Sequence, residues 1–137
     1  MIDIESDVFD YVATFVKAEM EDVNVLGEYD DSPASFPAVT IVENDNSVAT
    51  RYRNVNIENA ASLMYEVNIY SNKVAGKKRE SREIANLVDA AFSNLGFTRT
   101  FMNQIPNLRD ASIYRIVCRY SGVAIPNDDG KIYIHRM

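Results

Sequence analysis

With 137 residues, 47% of them hydrophobic, the chain is long enough for one domain with a core of its own and too short for a second. Its single cysteine, Cys118, excludes an intrachain disulfide framework and a cysteine zinc cage, and no apolar run approaches the roughly 20 residues of a membrane span. Net charge is -6 but polarised: residues 1–45 hold twelve Asp or Glu against one lysine, and residues 46–137 hold eight acids against thirteen Lys or Arg.

Such segregation marks self-association of an acidic face with a basic one, or a partner drawn to one end, unless folding mixes the two halves over one surface. The opening Met1-Ile2-Asp3-Ile4-Glu5 is acidic where a secretory signal is basic, so the expectation is a protein that is cytoplasmic when made.

In chain order, Ile4, Val8, Tyr11, Val12 and Phe15 recur at helical spacing and predict an amphipathic helix near residues 3–20. Residues 23–26 and 38–43 read as short strands separated by Asp30-Asp31-Ser32-Pro33. The polar run 44–47 reads as the start of a long loop near residues 44–61 that carries Arg51, Tyr52 and Arg53. Leu63, Tyr65, Val67 and Ile69 alternate with Met64, Glu66, Asn68 and Tyr70, the period of a strand with one buried face. Ile84, Leu87, Val88, Ala91 and Leu95 then predict a second helix, with Gly96 placed to end it in a left-handed conformation. Residues 97–101, 112–125 and 131–135 read as strands, the last two joined by the hairpin signal Asn127-Asp128-Asp129-Gly130. The order α-β-β-β-α-β-β-β predicts one α+β domain over residues 1–137, a mixed or mainly antiparallel sheet packed by two helices.

No stretch carries recognisable chemistry. The lone imidazole, His135, stands two residues from the last one given and makes a poor centre for a nucleophilic triad. Neither Asp30-Asp31 nor Asp128-Asp129-Gly130 has the spacing of a calcium loop, and Gly76-Lys77-Lys78 lacks both the upstream glycine and the Ser or Thr of a phosphate loop. Nothing in the spacing of the twenty acids selects a catalytic pair. No catalytic, cofactor-binding or metal residue is assigned, and the expectation is a protein without enzymatic activity.

Lys77, Lys78, Arg79 and Arg82 open the second helix, where positive charge opposes the helix dipole at a cost of roughly 0.3 to 1 kcal/mol each. Three explanations are open: screening by Glu80 and Glu83, an acidic partner surface such as the first 45 residues of another copy, or phosphate. The last fits poorly with an acidic chain. Tyr114, Tyr120, Arg115 and Arg119 decorate one strand, Tyr65 and Tyr70 another. Tyrosine and arginine anchor protein interfaces, but the same residues also pack under helices or face water.

The run Tyr65-Glu66-Val67-Asn68-Ile69-Tyr70-Ser71-Asn72, followed by Gly76-Lys77-Lys78, Ile84-Ala85, Val88-Asp89, Leu95-Gly96-Phe97, Pro106-Asn107 and Tyr114-Arg115-Ile116-Val117-Cys118-Arg119-Tyr120, resembles the tail-terminator, or tail-completion, proteins of tailed bacteriophages. The resemblance covers about the second half of the chain. It implies a compact α/β domain that forms a ring, commonly of six subunits, at the head-proximal end of the tail tube. There it would stop tube growth and meet the head connector, with DNA passing through the lumen without specific binding. The implied partners are further copies of the chain, the tail tube protein and a head-completion or connector protein, with no membrane. The implied location is the virion neck, reached from the host cytoplasm. On that resemblance Lys77, Lys78, Arg79, Arg82, Arg51, Tyr52, Arg53, Arg115 and Arg119 are candidate interface residues. A head-completion role, a small carboxylate enzyme and a monomeric binding module are the alternatives.

Overall fold

The structure, a computed structural model, describes residues 1–30, 33–48, 60–126 and, for the backbone, 132–135. Helix α1 (Glu5–Glu19) forms because Val8, Val12 and Val16 recur every fourth residue and are all buried, while Glu5 and Asp7 occupy the first turn and Lys17 the last, as the helix dipole favours. Strands β1 (Asn24–Leu26), β2 (Ala38–Val48) and β3 (Ala61–Ser71) follow. Helix α2 (Lys77–Leu95) buries Ile84, Ala85, Val88, Ala91 and Phe92. It is bracketed by two left-handed glycines, Gly76 (φ 89°) and Gly96 (φ 95°), a conformation that a side chain would strain. At its end the Gly96 N–H donates to the Ser93 carbonyl and the Phe97 N–H to the Phe92 carbonyl, both at 3.0 Å, the paired bonds that satisfy the last carbonyls of a helix. Strands β4 (Thr98–Gln104), β5 (Tyr114–Pro126) and β6 (Ile132–His135) complete the chain.

The α+β architecture is as the sequence predicts. The six strands lie in one sheet of order β1-β2-β3-β5-β4, with β6 also pairing with β5. Only β1 and β2 are parallel, so the sheet is mixed and mainly antiparallel. Its spine is the β3/β5 ladder, which runs without interruption from Ala61↔Ala124 to Ser71↔Tyr114.

One expectation is corrected. The polar run 44–47 is strand, not loop: β2 continues to Val48, opposite Ala61 of β3. A register shift between Glu43 and Asp45 takes up one extra residue, and a ladder on one side suffices to hold polar residues extended when their side chains face water. Residues 49–59, which carry Arg51, Tyr52 and Arg53 of the expected loop, lie outside the described residues, as does the hairpin signal expected at 127–130.

Both helices cover the same sheet face. Leu63, Tyr65, Val67 and Ile69 of β3 and Ile116, Cys118 and Tyr120 of β5 share one core with the buried residues of α1 and α2. At its centre Phe92 stacks on Tyr120, centroids 4.3 Å apart and planes within 5°, while Phe97 meets Tyr65 and Phe92 edge-on at 5.4 and 5.5 Å. Such pairs add about 0.5–1.5 kcal/mol beyond the area they bury. The Tyr120 hydroxyl donates to Asp89 Oδ1 at 3.2 Å, so the phenol enters the core without an unmade hydrogen bond. On the opposite face Ala38, Tyr70 and Ile113 form a smaller cluster with Phe36.

Candidate interaction surface

Among the described residues the two ends of the β3/β5 ladder carry different charged groups. At the Ser71 end, the segment 72–76 leads from β3 into α2, and the segment 105–113 leads from β4 into β5. The Lys77 ammonium donates to the Ser112 carbonyl at 3.2 Å and ties these segments together. Asp110 accepts from the Ser112 N–H at 2.9 Å and its hydroxyl at 2.7 Å. Those bonds, with Lys77 nearby, hold its carboxyl below the usual carboxylate range. Glu80 is occupied by the Ser71 hydroxyl at 2.7 Å, whereas Glu21 and Asp22, just before β1 at the same end of the sheet, are exposed. Lys73, Lys78 and Arg82 are exposed and have no ion pair among the described residues. Arg79 pairs one turn on with Glu83 at 3.4 Å, an exposed contact worth a few tenths of a kcal/mol.

Two apolar side chains stand fully in water among these cations: Val74 at 103% and Leu108 at 97% of full exposure. Burying either is worth about 1.5–3 kcal/mol. The free molecule forgoes that gain.

Among the described residues the far end carries carboxylates. The Glu43 N–H donates to Glu5 Oε2 at 3.1 Å and Asn46 Nδ2 to the Ile2 carbonyl at 2.9 Å, which places the start of α1 beside the second half of β2. Tyr65 donates to Glu43 Oε1 at 3.0 Å. Burial raises the Glu43 carboxyl above its usual 4.5, the Glu5 and Asp3 carboxylates push the same way, and hydrogen bonds from Tyr65 and Asn46 oppose them. Asp3, Glu5, Glu43 and Asn46 line an open recess here. Along the outer edge, the chain leaving β1 forms a second recess of about 510 Å³ lined by Leu26, Gly27, Glu28, Tyr29 and Asp30. A Cβ on Gly27 would lie 3.6 Å from the Phe9 ring, so this wall rests against α1. Tyr29 is 55% exposed. Among the described residues no group of three or more His, Cys, Asp or Glu is placed to hold a metal, and no helix is long and apolar enough to cross a membrane.

Comparison with known proteins names no family. No family model matches the chain, and no curated protein matches its sequence.

The basic cluster expected at the start of α2 is gathered at one end of the fold, but Arg115 and Arg119 are not part of it. Both rise from the sheet face that lacks helices. Arg119 is committed internally, to Glu66 at 3.2 Å and over the Phe101 ring at 5.2 Å. Arg115 Nε and Nη2 both donate to Asn68 Oδ1, at 2.9 and 2.7 Å. Tyr65 and Tyr120 belong to the helix-covered core and Tyr70 to the smaller cluster, so the packing explanation holds for these three tyrosines. Sequence reading missed Val74 and Leu108. The available signal was an isolated large apolar residue inside each of two polar turns, Asn72-Lys73-Val74-Ala75-Gly76 and Pro106-Asn107-Leu108-Arg109-Asp110.

Proposed function

We propose that the chain is a structural subunit that works by joining copies of itself head-to-tail into a ring, as a tail terminator of a tailed bacteriophage would. One observation carries the reading: a single sheet, held rigid by one aromatic core, has cations clustered at the Ser71 end and carboxylates gathered at the start of α1 and along the β1 edge. A contact between two different patches of identical subunits closes into a ring when the rotation per step divides a full turn, and opposite charge on the two patches fixes its direction. The resemblance of the second half of the chain to tail terminators supplies the place: the head-proximal end of a tail tube, with a connector protein above. Nothing in this role requires catalysis. An acidic lining drawn from Asp and Glu of the first 45 residues would let DNA pass by repulsion.

Electron microscopy of the purified chain, alone and mixed with tail tubes, tests the proposal. Closed rings that cap one end of the tubes are expected. Rings found only on the head connector would move the protein to the head-completion role, and particles that stay single and bind neither would overturn the reading.

A further inference from the structure

We infer that the ring contact proposed above seats Val74 and Leu108 of one copy in the recess lined by Leu26, Gly27 and Tyr29 of the next, with the lysines of the first copy facing Glu28 of the second. This rests on the ring reading and names its joint. The two surfaces complement each other in three respects. Val74 and Leu108 are the most exposed of the large hydrophobic side chains among the described residues, and they stand on segments that Lys77 ties together. The recess offers apolar wall from Leu26 and Tyr29 and has room, at about 510 Å³, for branched aliphatic side chains. Its border is acidic through Glu28 and Asp30, whereas Val74 is flanked along the chain by Lys73, Lys77 and Lys78, and Leu108 is followed by Arg109 and Asp110. A desolvated apolar centre within a border of opposite charge is the anatomy of a specific protein contact.

The occupant is a second copy and not a foreign protein because both halves are on this chain at separate places. The recess follows β1, the outermost strand on one side of the sheet, while the projections flank the end of the central β3/β5 pair. One copy therefore cannot fill its own recess through its own projections without breaking the ladder between them, and two copies can.

Cysteine trapping tests the joint. Two doubly substituted chains, Val74→Cys with Tyr29→Cys and Leu108→Cys with Tyr29→Cys, are oxidised mildly and run without reductant. All the substituted side chains are exposed, and Cys118 is fully buried and stays out of the reaction. A control carries Val74→Cys with Val48→Cys, the latter exposed at the other end of the ladder. The expected result is a ladder of covalent oligomers ending at the ring for at least one trapping pair, and at least tenfold less crosslinking in the control. Intact rings in the microscope with neither trapping pair crosslinked would overturn this joint and leave the ring reading standing. Absence of rings from the unsubstituted chain, alone and on tubes, would overturn both.

Discussion

The Lys77 ammonium reaches the Ser112 carbonyl at 3.2 Å, so the first turn of α2 and the segment entering β5 are held as one surface. The bond gives a lysine in an unfavourable place, the positive end of a helix, a local acceptor. Lys78 and Arg82 have no such acceptor among the described residues, and their cost at a helix start is what a docking surface would offset.

Replacing Lys77 and Lys78 together by Glu should leave the fold intact. Acids at a helix start are favoured by a few tenths of a kcal/mol, against which one exposed hydrogen bond is lost, so unfolding free energy should stay within about 0.5 kcal/mol of the parent. Ring formation should be lost or fall at least tenfold. Urea melts and light scattering on the same sample separate the two effects.

Asn68 is the sole hydrogen-bond acceptor of the Arg115 guanidinium among the described residues, in a half-buried setting. Asn68→Ala should therefore destabilise by about 1.5–3 kcal/mol, the scale for removing hydrogen bonds to a charge. Arg119→Ala, which removes an exposed ion pair and a contact with Phe101, should cost about 1 kcal/mol or less. Equal costs in urea titrations would contradict a half-buried Arg115 held by Asn68.

Glu43 gives a pH dependence whose sign follows from its raised carboxyl. A carboxyl that holds its proton more tightly in the folded than in the unfolded state contributes stability below the unfolded value, and this is lost as pH rises through the folded value. Glu43→Gln keeps an acceptor for Tyr65 but cannot ionise. It should match the parent below about pH 4, where both are neutral. It should become the more stable protein as pH rises through and above 4.5, with the difference levelling off by neutral pH. Thermal melts at pH 4 and pH 7 compare the two.

Cys118 is fully buried beneath α2, and burial pushes its thiol up to about 11. A thiol so placed is neither exposed nor ionised at neutral pH, so a chromogenic disulfide reagent should react with it only on unfolding. Reaction of the native protein within minutes would indicate a core looser than the Phe92–Tyr120 stack implies.

Much of the fold could be read from the sequence because its signals are local. The alternation from Leu63 to Tyr70 states which face is buried, and Gly96 marks where α2 ends. The continuation of β2 through Asn44, Asp45 and Asn46 could not be read, because what holds those polar residues extended is the ladder to Leu63 and Met64 on another strand. The charge segregation was visible, but its division between the Ser71 end and the β1 edge depends on topology. Val74 and Leu108 became informative only once their exposure was known.

Sedimentation of the purified chain over a hundredfold range of concentration, at low and high salt, shows whether opposite charged patches of identical subunits meet. A closed oligomer is expected at low salt, falling back toward the 15.5 kDa subunit as salt screens the contact. A single species of subunit mass at every concentration and salt, with tail tubes present or absent, would contradict it.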